Sequence, residues 1–274
     1  MTKIKLALCQ LTGVDDKEKN LRKASSMITS ASKKADFIVL PEMFNCPYSN
    51  DKFIEYGEEE NDNYTLDIIS KLAENNHVHI LAGSIPEKEN ENLYNTSYLF
   101  NEEGNIIAKH RKMNLFDIDV KDRITFKESD VLTAGDTFTI AETDFGKIGI
   151  GICYDIRFPE LARIMVENGA LVLFYPGAFN MTTGPAHWEL LFRARALDNQ
   201  VYCVGVAPAL NEDASYHSFG HSIVANPWGE IIAEADQKEE IIYCEIDLDE
   251  IKKVREELPL LKNKREDLYE VIKK

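Results

Sequence analysis

Short apolar runs, some of them alternating with polar residues, recur along the whole chain and predict a series of β-strands. The predicted strands cover 3–10, 36–40, 77–82, 93–100, 105–110, 138–142, 147–152, 170–175, 201–207, 221–226, 231–235 and 241–246. Runs of this length with many β-branched and aromatic residues, bounded by turn-forming residues, are typical of strands. Strands 93–100 with 105–110, and 138–142 with 147–152, are joined by short segments that contain glycine, which indicates two hairpins.

Apolar residues that recur every three or four positions predict helices between these strands. The first helix begins at Asp15 and Asp16 and runs to about Lys34, with Leu21 and Ala24 on its apolar face. Further helices are predicted after residue 158, over 66–74 and 187–199, and from about 248. This order of strands and helices predicts an α/β fold.

The chain shows no sign of a division into separate domains. It has 274 residues, of which 44% are hydrophobic and 28% are charged, as in an ordinary globular protein. We find no linker, no low-complexity segment and no repeat with a short period. We therefore predict one domain over 1–274, with a C-terminal arm over about 248–274.

The charge of the chain limits the partners that we expect. There are 31 basic and 47 acidic residues, which gives a formal net charge of -16. So acidic a protein repels a phosphate backbone, and we expect no binding to nucleic acid. A local cationic pocket remains compatible with a small anionic substrate.

The beginning of the chain and its cysteines favour a cytoplasmic protein. The first residues resemble a short strand and lack the apolar region of a signal peptide, and no apolar run reaches membrane-spanning length. The five cysteines are scattered and include no Cys-x-x-Cys pair: Cys9, Cys46, Cys153, Cys203 and Cys244. A disulfide framework or a zinc site is therefore not expected. His77 and His79 lie in one predicted strand without a third ligand, so we predict no metal site.

Cys153 lies at the most informative position of the chain. The apolar run 147–152 ends at this cysteine, a polar turn follows, and a helical pattern begins after Phe158. Such a strand-to-helix elbow exposes one side chain and turns backbone N–H groups towards it, as a nucleophile requires. The alternative is that Cys153 is a small buried residue at a strand end, which is common for free cysteine.

Four other positions carry side chains suited to catalysis. Glu42 follows a buried strand directly, Lys112 follows another strand, and Glu128 lies in a loop. The loop 175–189 leaves a strand at its carboxyl end, where α/β proteins bind ligands. Taken singly, each has a plain alternative: a solvated carboxylate for Glu42, a surface charge for Lys112, and a salt bridge for Glu128.

Taken together, these positions resemble the nitrilase, or carbon–nitrogen hydrolase, superfamily. The resemblance rests on a Pro-Glu after the second strand, a Lys after a central strand and a Cys at an elbow, and it extends over essentially the whole chain. The segments 175–189, 193–196 and 198–200 are most similar to the ω-amidase branch. The resemblance implies a four-layer αββα sandwich, whose sandwiches pair in a homodimer.

The resemblance also implies a Glu-Lys-Cys triad at Glu42, Lys112 and Cys153, with a second glutamate at Glu128. Cys153 would attack the amide carbon and form a thioester, while Glu42 would transfer protons and then activate water. Lys112 and the backbone N–H of Tyr154 would stabilise the oxyanion, and the charge of Lys112 would lower the pKa of the thiol. Glu128 would orient Lys112 or the substrate. This chemistry requires no cofactor.

The substrates implied are small 2-oxo dicarboxylic monoamides, namely 2-oxoglutaramate and 2-oxosuccinamate. Their carboxylate needs a cation or donors within the site, because an unpaired buried anion is costly. The candidate substrate-binding residues are Tyr48, Arg157, Phe179, Thr182, Thr183 and Arg195. Arg157 alternatively pairs with Asp155 or Glu160. The alternative functions are a deaminated-glutathione amidase, another carbon–nitrogen hydrolase such as a nitrilase or N-carbamoyl amidase, and a catalytically idle binding or scaffold protein.

Overall fold

The computed structural model describes residues 3–272, which contain strands, α-helices and two short 3-10 turns. The strands are β1 (Lys3–Gln10), β2 (Phe37–Val39), β3 (Glu58–Glu59), β4 (His79–Leu81), β5 (Ile85–Glu89), β6 (Asn92–Phe100), β7 (Ile106–Arg111), β8 (Asp117–Val120), β9 (Ile124–Lys127), β10 (Thr139–Thr143), β11 (Gly146–Ile150), β12 (Val172–Pro176), β13 (Tyr202–Val206), β14 (Ile223–Ala225), β15 (Ile231–Glu234) and β16 (Glu240–Asp247). The helices are α1 (Lys17–Ala31), α2 (Asn50–Tyr56), α3 (Tyr64–Asn76), α4 (Pro159–Glu167), α5 (Gly184–Asn199) and α6 (Leu248–Glu257). The 3-10 turns cover Glu128–Asp130 and Cys153–Arg157.

Two mixed sheets contain nearly all of the strands. The larger sheet has the order β16-β1-β2-β4-β6-β5-β3, and β7 also pairs with β6. The smaller sheet has the order β10-β11-β12-β13-β14-β15. Strands β1, β2 and β4 run parallel to one another, as do β11, β12 and β13. The hairpin of β8 and β9 stands apart from both sheets.

The sheets pack face to face, and helices cover their outer faces. Between the sheets, Phe37 of β2 stacks on Phe174 of β12 with ring centroids 4.9 Å apart. In β1, Leu6 and Leu8 enter this interface, whereas Ala7 and Cys9 face the core beneath α1 and α3, because successive side chains of a strand point to opposite faces. Helices α4 and α5 cover the smaller sheet in the same way. The predicted αββα sandwich is therefore confirmed.

Helix and strand boundaries show where local patterns succeed and where they fail. Helix α1 begins after Asp16, whose side chain accepts from the backbone N–H of Lys19 at 3.0 Å, as an N-cap does. The strand predicted from residue 77 begins only at His79, since His77 caps α3 with φ 50°. The sequence patterns missed α2, β3, β5, β8 and β9. Strand β5 escapes detection because Pro86 and three charged residues dominate its short sequence.

The end of the chain packs partly against the domain. Helix α6 buries Ile251 and Val254. After α6, Leu261 contacts the core beneath α4 and α5, and Lys264 pairs with Glu167. The arm predicted from about 248 thus begins with a helix, and its last two residues lie outside the described residues. Within residues 3–272, no helix is long and apolar enough to span a membrane.

Candidate active site

The four predicted catalytic side chains meet where strands end, three of them after strands of the two sheets and Glu128 after the separate hairpin of β8 and β9. Glu42 follows β2, Lys112 follows β7, Glu128 follows β9, and Cys153 follows β11. All four are buried, with exposed fractions between 0% and 4%. Their burial excludes the alternatives of a solvated carboxylate for Glu42 and a surface charge for Lys112, and it shows that the salt bridge of Glu128 is an internal one.

Lys112 links the two glutamates. Its Nζ donates to Oε1 of Glu42 at 2.9 Å and to Oε1 of Glu128 at 2.9 Å. Burial alone would lower the pKa of Lys112, but the charges of Glu128 and Glu42 outweigh it and hold the pKa well above its usual value. Lys112 is therefore a permanent cation within the cluster.

The carboxylate of Glu42 is fixed from several sides. The backbone N–H of Ala178 donates to its Oε2 at 2.7 Å, and Nδ2 of Asn95 donates to its Oε1 at 2.8 Å. The hydroxyl of Tyr48 lies 3.4 Å from the same Oε1. Asn95 also accepts the backbone N–H of Lys112 through its carbonyl oxygen at 2.8 Å. One residue of β6 thus contacts both Glu42 and Lys112.

Glu128 is held as firmly as Glu42. The hydroxyl of Tyr48 donates to its Oε1 at 2.7 Å, and the backbone N–H of Phe116 donates to its Oε2 at 2.7 Å. Burial raises the pKa of Glu128 above its usual value, and the charge of Lys112 acts against this. Tyr48, a candidate substrate-binding residue, therefore positions the two glutamates in this structure.

Cys153 occupies the elbow in a left-handed backbone conformation with φ 47°. This region is sparsely populated by residues other than glycine, and strain of this kind is common at functional sites. Burial and the charge of Glu42 raise the pKa of the Cys153 thiol well above its usual value, although Lys112 acts in the opposite direction. Lys112 lowers the pKa of the thiol, as expected, but burial and Glu42 raise it by more, so the net shift is upward. The resting thiol keeps its proton and needs a base to become a nucleophile.

Aromatic rings surround the cluster. Tyr48 packs on Tyr216 with ring centroids 4.5 Å apart, and Phe126 lies 6.0 Å from Tyr216. On another side, Phe116 packs against the ring of Tyr154 at 5.3 Å. The backbone N–H of Tyr154, the predicted oxyanion donor, directly follows Cys153 within the 3-10 turn. Tyr216 comes from the loop between β13 and β14 and has no recognisable signal in the sequence.

Arg157 is a half-buried cation beside this site. Its guanidinium lies 4.7 Å from the ring centroid of Phe179, and its Nη1 lies 3.1 Å from Nδ1 of His187. Its Nε has no hydrogen-bond partner among residues 3–272. The alternative pairing with Asp155 or Glu160 is not found, because the carboxylate of Asp155 binds His110 and backbone groups.

The remaining candidates are used within the protein. The backbone N–H groups of Thr182 and Thr183 donate to Oδ1 of Asn180 at 2.9 and 3.0 Å, in the turn before α5. Arg195 is buried, and its Nε donates to the carbonyl of Ile156 at 2.8 Å. Arg195 thus fastens the backbone after the elbow, which differs from its expected role as a carboxylate ligand.

A cavity of about 550 Å³ adjoins the cluster. It borders Glu42, Tyr48 and Tyr216 together with parts of the segments 11–15, 41–52 and 208–218. Its volume would hold a small acyclic amide, but the cavity meets the cluster only at Glu42, and Cys153 and Arg157 do not line it. Residues 3–272 contain no group of three or more His, Cys, Asp or Glu side chains arranged to hold a metal ion.

Comparisons with known proteins agree with this arrangement. The family model described as "Carbon-nitrogen hydrolase" matches residues 5–256. The chain is 48% identical to "Omega-amidase NIT2" of Bos taurus over 272 residues, which are 99% of this chain and 98% of that protein. It is 48% identical to "Omega-amidase, chloroplastic" of Arabidopsis thaliana over 277 residues, covering 99% of this chain and 75% of that protein. Among solved structures, Saccharomyces cerevisiae Nit3, described as a member of branch 10 of the nitrilase superfamily, superposes with a TM-score of 0.89 at 44% identity, covering 96% of this chain and 97% of that one.

Proposed function

The chain belongs to the carbon–nitrogen hydrolase family, and from this premise we propose that it is an ω-amidase that hydrolyses the terminal amide of 2-oxo dicarboxylic monoamides. The relatives named omega-amidase support this activity over the full length of the chain. The observation that carries the proposal is the buried cluster of Glu42, Lys112, Glu128 and Cys153, in which one lysine bridges two carboxylates at 2.9 Å each. Next to this cluster, Arg157 offers a cation that no carboxylate of the described chain pairs with.

The reaction begins with activation of the thiol. Because burial keeps the proton on Cys153, Glu42 takes that proton as Sγ attacks the amide carbon. The carbonyl oxygen becomes an oxyanion, which the ammonium of Lys112 and the backbone N–H of Tyr154 stabilise. Because Glu42 and Glu128 already hold the ammonium of Lys112 in place, it does not have to move when the oxyanion forms.

Glu42 then returns its proton to the amide nitrogen, the C–N bond breaks, and ammonia leaves. The acyl group remains on Cys153 as a thioester. Glu42 next removes a proton from a water molecule, which attacks the thioester carbon. The second tetrahedral intermediate collapses and the C–S bond breaks, while Glu42 returns its proton to the leaving sulfur, so the 2-oxo acid is released and the free thiol of Cys153 is regenerated. Ala178 and Asn95 keep Glu42 in one orientation through both half-reactions.

The carboxylate of the substrate binds Arg157 in this proposal. Arg157 stacks on Phe179 and Tyr154, so its plane is fixed while its free N–H groups remain available. A planar guanidinium suits a carboxylate, since two parallel hydrogen bonds then form. Thr182 and Thr183 lie in the turn that follows Phe179, and their backbone N–H groups bind Asn180, so in this proposal they shape the same subsite.

Ammonia release tests the proposed activity. The assay compares 2-oxoglutaramate, deaminated glutathione, glutamine and a simple nitrile, with Cys153→Ala as the control that removes the nucleophile. We expect a clear preference for 2-oxoglutaramate and no turnover by Cys153→Ala. A preference for deaminated glutathione would move the chain to the neighbouring branch, and undiminished turnover by Cys153→Ala would refute the thioester mechanism.

We further propose that two copies pair through the face of α5. Leu190 and Leu197 lie seven residues apart on this helix and are 65% and 40% exposed. Trp228 is 47% exposed and lies in the turn whose Gly229 approaches Leu197. Two such apolar faces bury one another in a symmetric dimer. Light scattering after size exclusion should give a dimer for the wild type and a monomer for Leu190→Glu, while Ile54→Glu on the separate helix α2 stays dimeric.

The state of the cysteines supports the cytoplasm as the compartment of this enzyme. All five cysteines are free thiols, and four of them are buried. Free thiols persist in a reducing compartment. Fractionation of native cells should place the enzyme with a cytosolic marker, and recovery with an organelle or secreted fraction would contradict this.

A further inference from the structure

A buried histidine and a buried aspartate lie in contact beside the catalytic cluster and take no part in the proposed chemistry. Nε2 of His110 lies 3.1 Å from Oδ2 of Asp155, and both side chains are 0% exposed. His110 precedes Lys112 by two residues, and Asp155 follows Cys153 by two residues. The pair therefore joins the strand that carries the lysine to the turn that carries the cysteine.

Asp155 also closes the elbow around the nucleophile. Its Oδ2 accepts the backbone N–H of Ile152 at 3.0 Å, and its own N–H donates to the carbonyl of Ile152 at 3.0 Å. These two bonds span Cys153, the residue in the left-handed conformation. They offset the strain of that conformation, which persists only where the surroundings enforce it.

The carboxylate of Asp155 also binds the residues on both sides of Lys112, namely His110 and Asn114. On one side His110 binds Oδ2, and on the other the backbone N–H and the Nδ2 of Asn114 both donate to Oδ1 at 2.8 Å. Burial alone would raise the pKa of Asp155, but the hydrogen bonds and charge of His110 and the donors from Ile152 and Asn114 lower it below its usual value. Asp155 is thus an ionised carboxylate with every strong acceptor direction occupied.

Hydrogen-bond accounting gives the direction of the bond between His110 and Asp155. The carboxylate of Asp155 can only accept, so Nε2 of His110 carries a hydrogen and donates it at 3.1 Å. Nδ1 of His110 lies 3.1 Å from the hydroxyl oxygen of Thr139, which itself lies 3.1 Å from the carbonyl oxygen of Lys109.

Within residues 3–272, no charged side chain other than Asp155 contacts the ring of His110. Lys109 and Arg111 point to the opposite face of β7, where both pair with Glu87. Lys112 is bound to Glu42 and Glu128. The groups that face the imidazole ring are therefore Thr139 from β10 and Asp155 from the elbow.

We propose that the buried hydrogen bond between His110 and Asp155 locks Lys112 in register with Cys153, and that His110 and Asp155 are positioning residues of the amidase reaction. This role rests on the proposed function, since it assigns the oxyanion contact to Lys112. The pair touches neither substrate nor reacting atoms. It acts by setting the distance between the lysine ammonium and the sulfur, and a misplacement of about 1 Å is enough to cost about 100-fold in rate.

Kinetics of Asp155→Asn and His110→Gln test the positioning role. We expect kcat for 2-oxoglutaramate to fall about 100-fold in Asp155→Asn and at least about tenfold in His110→Gln, with KM changed less than about threefold. His79→Gln is the matched control, because His79 is also buried in a strand, stacks on Phe37 and lies away from the cluster. A kcat loss no larger than that of the control, or a proportional rise in KM, would overturn the proposal.

Spectroscopy of the wild-type enzyme tests the pair without any variant that must fold. In protein labelled with ¹⁵N at its six histidines, Nε2 of His110 should carry a hydrogen that exchanges slowly with solvent, because the ring is buried and bound to Asp155. The signal is assigned by its loss in His110→Gln or by its through-space contact with Thr139. A His110 without a hydrogen on Nε2 would refute the pair. This readout needs no substrate, so it stands apart from a failure of the ω-amidase assignment.

Discussion

Arg157→Met tests the carboxylate subsite most directly, because methionine keeps the apolar stem and removes only the donors and the charge. In the structure, Nη1 of Arg157 is used by His187, and Nε has no partner. Two N–H groups, on Nε and Nη2, are then available to a carboxylate. Each charge-assisted hydrogen bond contributes about 1.5–3 kcal/mol. Since Arg157 is only half-buried, we expect a combined loss near the low end, about 3 kcal/mol, which is about 100-fold in kcat/KM.

The assay measures kcat/KM for 2-oxoglutaramate and for an uncharged amide of similar size, by release of ammonia. Arg157→Met should lower the first about 100-fold and leave the second within about threefold, because only the first has a carboxylate to bind. Arg193→Met is the matched control, since Arg193 lies on the exposed side of α5 and pairs with Glu189. An equal loss for both substrates would refute the subsite and show that Arg157 supports the elbow instead.

Three further predictions concern other parts of the structure. Tyr48→Phe removes the hydroxyl that donates to Glu128 at 2.7 Å, so kcat should fall about tenfold with the folded state retained; an unchanged kcat would show that Lys112 and the backbone N–H of Phe116 suffice to orient Glu128. Burial lowers the pKa of the His79 imidazole in the folded protein, so the unfolded chain binds a proton at His79 more readily. The contribution of His79 to the folding stability is therefore complete above about pH 6.5, and below that pH the stability falls by up to about 1.4 kcal/mol per pH unit. Urea unfolding at several pH values should show this slope, and His79→Gln should reduce it. Gly205→Ala places a methyl group 2.3 Å from the ring of Phe192, so the melting temperature should drop by several degrees, and an unchanged value would mean that the ring moves freely.

The positions of Glu42 and Cys153, two of the proposed catalytic residues, were predictable from sequence because each is tied to a local pattern. Glu42 ends a buried strand at Pro41, and Cys153 ends another at a turn into a helix, so their places at the strand ends follow from the runs before them. The carboxyl ends of neighbouring parallel strands meet at one edge of a sheet. The resemblance to the carbon–nitrogen hydrolases then assigned these residues to one site, and the comparisons confirm the family.

The partners of these side chains were decided only by the tertiary structure. Ala178 lies 136 residues from the Glu42 that it binds, and Asp155 lies 45 residues from His110, so no local pattern links them. The two arginines near the elbow look equivalent in sequence, yet Arg195 is turned to backbone carbonyls while Arg157 keeps a free N–H.

The state of the nucleophile likewise depends on distant residues. A lysine near a cysteine in the same site suggested a lowered pKa, but the fold also buries the thiol and places Glu42 beside it, which raises the pKa. Hydrophobic periodicity, breakers and motif order are properties of neighbouring residues, and they determined the layers, the elbow and the chemical groups of the site. The burial of an atom and its hydrogen bonds depend on all the parts of the chain that fold around it. They are therefore set only once the two sheets have packed together.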